Sequence, residues 1–127
     1  MTPLEIRSII KLATDACMNQ NSQTFASLFR NDAEMILPGY RLLGKAQIQA
    51  ATSTYLQSCD EIKIEIQRIL VEGDRAVVEW IWQACKNGKS DYAENAIIID
   101  FKAGLIRRWR EYTDPHAKNA TSVGKEE

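Results

Sequence analysis

Histidine occurs once in this 127-residue chain, at position 116, and the three cysteines (Cys17, Cys59, Cys85) stand far apart. One imidazole and scattered thiols in no metal-ligand spacing do not supply a first coordination shell, so no metal centre is expected. An odd cysteine count also argues against a disulfide framework and fits reduced structural thiols in a cytoplasmic protein. Net charge is nearly absent as well: 16 Lys and Arg balance 17 Asp and Glu. That leaves no electrostatic footprint for nucleic acid or an anionic membrane surface. No apolar run approaches the length needed to span a bilayer. The opening MTPLEIRSII has no basic segment followed by an apolar one, so export is not expected. With 45% hydrophobic and 26% charged residues, the composition is that of an ordinary globular domain.

Two strong strands close the ordered part of the chain, Tyr92 to Phe101 and Leu105 to Asp114, joined by a turn around Lys102, Ala103 and Gly104. Both are rich in β-branched and aromatic residues, which predicts a hairpin. Alternation sets Leu105, Arg107, Trp109, Glu111 and Thr113 on one face of the second strand, and Ile106, Arg108, Arg110 and Tyr112 on the other. On the first strand Ala93, Asn95, Ile97, Ile99 and Phe101 oppose Tyr92, Glu94, Ala96, Ile98 and Asp100. Trp109 and Glu111 therefore share a face, and a covered carboxyl beside an indole would have a raised pKa.

Upstream, Thr2-Pro3 with Glu5 reads as a capping box, opening a helix with Ile6, Ile9, Ile10, Ala13 and Cys17 on its stripe. Ser22 is the expected N-cap of a second, short helix carrying Phe25, Leu28 and Phe29. A short strand from Asp32 to Leu37 stops at Pro38-Gly39, and a third helix runs from Lys45 to Ser58. The period then drops to two: Ile62, Ile64 and Ile66 alternate with polar residues, and the parity slips to Ile69 and Val71, predicting a bulge near Arg68. The strand Arg75 to Cys85 puts Ala76, Val78, Trp80, Trp82 and Ala84 on one face, and Asn87-Gly88 marks a tight hairpin. The expectation is an α+β fold in one domain over residues 1–115, with a mobile tail at 116–127. Three N-terminal helices would pack on a strongly curved, mostly antiparallel sheet, enclosing a conical pocket of the kind that holds small ligands.

Several stretches, in this order, resemble the SnoaL-like branch of the NTF2-like superfamily: FRNDAEMILPG, LLGKAQI, EGDRAVVEWIWQ, NGK and above all AIIIDFKAGLIRRWREYTD. The resemblance runs from about Leu4 to Pro115 and implies the cone fold more firmly than any one reaction, because this fold hosts many. Against ketosteroid isomerases, the positions of the base and the two oxyanion donors fall on Leu37, Thr14 and Ile97, which cannot serve. Against limonene epoxide hydrolase, Trp109-Arg110-Glu111-Tyr112 resembles the family's WRxY, with Glu111 in the place of a water-activating acid. The Arg-x-Asp pair of those enzymes falls on Trp80 and Trp82. Polyketide-cyclase members also carry an acid on the last strand.

The candidate site is thus Glu111 as acid/base, with Trp80, Trp82, Asn95, Phe101, Trp109 and Thr113 binding a small hydrophobic substrate, and with no cofactor. The rival reading of the indoles is plain core filling; that of Glu111 is an ion pair with Arg107, two positions away. His116 reads as an exposed residue more readily than as a partner of Asp114. The opposite sheet face mixes Ile81, Ile98, Ile106 and Tyr112 with charged residues, the pattern of a homodimer interface. Two functions follow. One is a SnoaL-like isomerase, cyclase or hydrolase; the other is a non-catalytic ligand-binding or dimerising accessory domain.

Overall fold

The computed structural model describes residues 1–124. Helix α1 (Pro3–Met18) begins with both halves of its capping box: Glu5 N donates to Thr2 Oγ1 at 3.1 Å and Thr2 N donates to Glu5 Oε1 at 3.2 Å. It buries Ile6, Ile10, Ala13 and Cys17. Helix α2 (Ser22–Ser27) is capped by Asn21 rather than by Ser22, since Thr24 N donates to Asn21 Oδ1 at 3.0 Å. Both side chains suit a cap, and the left-handed Gln20 (φ +56°) turns the chain one residue earlier than expected. Gln20 Nε2 also donates to the carbonyls of Leu56 and Cys59, at 2.7 and 2.6 Å, pinning this corner to the end of α3 (Lys45–Ser58).

Strand β1 (Phe29–Leu37) is longer than its apolar core suggests, and it folds back through Pro38-Gly39 onto an unexpected short strand, β2 (Tyr40–Leu43). Proline followed by glycine at φ +88° is the chemistry of a type II turn, and it fixes that hairpin. After α3 come four long strands: β3 (Glu61–Glu72), β4 (Arg75–Lys86), β5 (Lys89–Lys102) and β6 (Leu105–Asp114). Asn87 and Gly88 (φ +51° and +77°) make the β4–β5 turn, and Ala103 and Gly104 (φ +54° and +84°) the β5–β6 turn. Positive φ at both central residues matches the right-handed twist of the strands they join.

The six strands form one sheet in the order β2-β1-β6-β5-β4-β3. Only the β1–β6 pairing is parallel. The three helices and the curved sheet make an α+β cone of the NTF2-like kind, with the core between them. The expected bulge is present, as the β3–β4 register shifts between Ile66 and Arg68.

A second irregularity overturns part of the expected parity. Phe101 pairs with Ile106 while Asp100 pairs with Arg108, so Arg107 is the extra residue. Ile106 therefore turns inward and is fully buried instead of joining the outer face, and Arg107 points outward, away from Glu111. Asp100, expected on the open face, is buried and holds ion pairs with Arg75 and Arg107. Of the expected tail, residues 125–127 lie outside the described residues, while Ala117–Asn119 form a 3₁₀ turn next to β5.

Replacing Ile106 by Ala should cost about 2–5 kcal/mol, the usual range for a fully buried branched side chain, and Arg107→Ala no more than about 1 kcal/mol, as for an exposed ion-pair residue. Urea unfolding of the two variants checks the order; unbroken alternation along β6 would reverse it.

Candidate functional site

Inside the cone lies a cavity of about 840 Å³, at the upper end of the size typical of small-molecule sites. Its inner wall comes from three neighbouring strands. Trp80 and Trp82 project from β4, Asn95 from β5, and Trp109, Glu111 and Thr113 from β6. The pairings Trp80 with Asn95 and Asn95 with Thr113 set these residues in one row across the sheet. Helices supply the opposite wall through Cys17, Phe25, Tyr55 and Leu56. Exposed Tyr40, Asp91, Thr113 and Lys118 mark the mouth.

Six of the seven residues singled out from sequence border this cavity. Phe101 does not: it is buried beyond the β6 bulge, beside Asp100 and Arg107. It keeps the inward face that alternation gives it, but it lies six positions along β5 from Asn95, past the end of the hollow. The cavity residues Tyr40 and Asp91 escaped the sequence reading, and Tyr55 enters it only as part of a helix stripe. Tyr55 lies on the apolar stripe of α3, which marks it as inward-facing, whereas Tyr40 belongs to a strand with no strong pattern of its own.

The aromatic rings form one connected set. Trp109 meets Phe25 edge-on at 5.5 Å between centroids, Phe29 at 5.9 Å and Trp80 at 5.8 Å; Trp80 meets Trp82 at 6.0 Å, and Trp82 meets Tyr55 at 5.9 Å. These separations are those of favourable aromatic pairs. Core packing and cavity lining are here the same residues: Trp109 and Trp80 are each 2% exposed, yet one edge of each borders the hollow. Each indole N–H finds an acceptor, as a buried donor must. Trp109 Nε1 donates to Glu111 Oε1 at 3.1 Å, and Trp82 Nε1 to the Tyr55 hydroxyl at 3.2 Å. Trp80 Nε1 lies 3.0 Å from the Asn95 amide oxygen in the amide orientation that satisfies its neighbours.

Glu111 makes no ion pair with Arg107, which the bulge directs to Asp100. Burial lifts the Glu111 pKa above its ordinary value, and the Trp109 N–H opposes the rise without cancelling it. Its neighbours are uncharged. Burial pushes the Cys17 thiol up to about 12, with the negative charge of Glu111 adding to the rise. The Tyr40 hydroxyl is shifted upward for the same two reasons, burial first. The result is a carboxyl in an apolar, indole-lined hollow, able to carry a proton where an exposed glutamate would have lost it. His116 stands outside the arrangement. It is exposed, and its backbone N–H rather than its ring bonds Asp114. Among the described residues no three His, Cys, Asp or Glu side chains cluster as metal ligands, and no helix is long and apolar enough to cross a membrane.

Comparison with known proteins gives a consistent result. The family profile described as a SnoaL-like domain matches residues 11–109. No curated protein sequence matches significantly. Among solved structures, a LEH-like epoxide hydrolase of M. tuberculosis is 18% identical, with 87% of this chain and 84% of that chain covered and a TM-score of 0.78. A protein with a ketosteroid isomerase-like fold from Catenulispora acidiphila, in complex with trimethylamine, is 17% identical over 88% of this chain and 86% of its own, with a TM-score of 0.76. TerC, co-crystallised with polyporic acid, is 16% identical over 91% and 95%, at 0.77. At these identities the likeness is one of fold.

The raised pKa of Glu111 has a stability consequence with a definite sign. Below the ordinary glutamate range, at about pH 4, the group is largely protonated whether the chain is folded or not, and its contribution is fully present. As pH rises through the higher folded-state value, that contribution is lost, because ionising the buried group costs more than ionising the unfolded one. Glu111→Gln, neutral at every pH, should melt within error of the wild type near pH 4 and at a higher temperature near pH 8. Thermal denaturation at the two pH values checks this.

Proposed function

The chain belongs to the family of SnoaL-like domains, and from that premise we propose that it is an acid/base enzyme acting on a small hydrophobic molecule, with Glu111 as the proton donor and acceptor. The observation that carries this reading is a carboxyl held at the wall of an indole-lined cavity, with an elevated pKa and no cation beside it. A general acid works best when its pKa lies near the working pH, and burial moves Glu111 in that direction. In such a site the protonated carboxyl gives its proton to a carbonyl or ether oxygen of the substrate. The carboxylate left behind then takes a proton from carbon or from an attacking nucleophile. One group working in both directions suffices for isomerisation or cyclisation; with water as the nucleophile the same cycle is a hydrolysis.

The cavity favours flat, weakly polar substrates. Trp80, Trp82 and Trp109 offer ring faces and edges, and polar side chains converge only around Glu111 and at the mouth. Co-crystallisation of TerC with polyporic acid, and the epoxide-hydrolase activity of another structural neighbour, support a small organic ligand in a hollow of this fold. We also propose that a second copy of the chain covers the outer face of the sheet. That face presents half-buried Ile81 and Ile98 and exposed Tyr112, with the Arg110 guanidinium 4.7 Å from the Tyr112 ring centroid. Arg110 Nε is excluded from solvent and has no hydrogen-bond partner among the described residues. Arg108 is occupied by Glu34 at 3.3 Å, which leaves Arg110 as the cation to meet a partner.

Two measurements test these readings. Screening turnover of a panel of aromatic, polyketide-like and terpenoid epoxide or ketone substrates should find at least one accepted compound, for which Glu111→Gln lowers kcat by about 10²–10⁴-fold. An unchanged rate would remove Glu111 from the reaction, and binding without any turnover would favour a ligand-binding module. Sedimentation at micromolar concentration should give a dimer that Tyr112→Glu converts to monomer.

A further inference from the structure

We propose that Asn95 is a positioning residue that keeps Glu111 protonated, with the Trp80 indole and the Glu94 carbonyl deciding which end of its amide faces the carboxyl. The inference deepens the acid/base reading above and rests on it only for what the stored proton is used for.

Asn95 is buried on β5 between Trp80 of β4 and Thr113 of β6, so its amide has donors on one side and acceptors on the other. One orientation satisfies them all. The amide oxygen accepts from Trp80 Nε1 at 3.0 Å, while the amide nitrogen donates to Thr113 Oγ1 at 3.0 Å and to the Glu94 carbonyl at 3.1 Å. An indole N–H can only donate, so the reverse orientation would set donor against donor. The amide atom that meets the indole also lies 3.4 Å from Glu111 Oε2. With oxygen in that place, an ionised Glu111 would present acceptor to acceptor. A protonated Glu111 instead donates Oε2–H to Asn95, while Oε1 keeps its bond from Trp109. The hydrogen-bond count thus closes only with the acid protonated.

Turning the amide over reverses the preference. Asn95 Nδ2 then donates to the Glu111 carboxylate at 3.4 Å, at the cost of the bonds with Trp80 Nε1 and the Glu94 carbonyl; the Thr113 hydroxyl, donor as well as acceptor, can bond either end. The Asn95 amide is therefore a two-position element linked to the charge of Glu111. The groups facing Glu111 from the other elements do not override it. Cys17 of α1 and Tyr40 of β2 titrate far above neutrality, and α2, β1 and β4 contribute uncharged Phe25, Met35 and Trp80. Lys118, beyond β6, is the one lysine or arginine among the lining residues, with its ammonium 5.8 Å from the Tyr92 ring centroid at the mouth; Asp91 is likewise exposed there.

The test needs no substrate. In protein labelled with ¹³C at the glutamate carboxyls, the Glu111 signal is assigned by its disappearance in Glu111→Gln and followed against pH. Trp80→Phe removes the indole N–H but keeps an aromatic ring. That frees the amide to turn toward the carboxylate, so the proton affinity of Glu111 should fall, by about tenfold or one pKa unit. Loss of the N–H dipole without any amide turn would raise the affinity instead, so an unchanged or increased pKa overturns the proposal. In the wild type, a nuclear Overhauser contact should join the Asn95 side-chain NH₂ to Thr113; its absence, with a contact to the Trp80 indole proton in its place, overturns the proposal as well. These readouts fail or succeed whether or not any substrate turns over.

Discussion

Trp109 packs its ring against Phe25, Phe29 and Trp80 and turns its N–H to the carboxyl of Glu111, two residues along the same strand. One side chain thereby meets two requirements that usually conflict. Its ring lies where the short helix α2, strand β1 and the long strands converge, so it is fixed by packing on nearly every side. Its one polar atom, on a side chain only 2% exposed, must have an acceptor or cost on the order of 1–3 kcal/mol. Glu111 is that acceptor. The carboxyl is held because the core needs it, and the cavity is lined because the core stops there.

The arrangement explains how a chain with little polar apparatus can still present a reactive group. A carboxyl in a hydrophobic enclosure is altered by what surrounds it more than by any charged partner. The surroundings here are indole, phenyl, thiol and phenol groups with no nearby cation. The protonation chemistry of Glu111 is then written in the order of residues across three strands, Trp80, Asn95 and Thr113 side by side, and not in a cluster of ionisable groups.

Much of the architecture was legible in the sequence, and the reason is local. The capping box at Thr2 and Glu5, the Asn87-Gly88 turn and the parity slip near Arg68 are each short-range signals with one structural solution. The parallel pairing of β1 with β6 was not legible, because residues some 75 positions apart leave no periodic trace of each other. Strand β2, only four residues long, is too short to show a period. Strand β6 shows the limit of alternation as an instrument. The rule puts Trp109, Glu111 and Thr113 on the cavity side, where they lie, but assigns Ile106 and Arg107 to the wrong faces because Arg107 is an inserted residue in the ladder. Phe101 has its expected inward face but lies too far along β5 from Asn95 to reach the hollow. The Asn95 amide was legible only as a polar point; that it is wedged between an indole donor and a hydroxyl acceptor depends on pairings across two hairpins.

The place of β6 in the sheet carries a consequence for how the protein comes into being. It is the last strand among the described residues and yet a central one, with β1 on one side and β5 on the other. Until it emerges from the ribosome, β1–β2 and β3–β4–β5 are separate pieces, each with an open edge, and Phe25 and Phe29 have no indole to close over. Such edges are ready templates for pairing with other chains. The domain must therefore be synthesised through β6 before it can hide its interior, and a break in translation anywhere before residue 105 leaves an unclosed fragment.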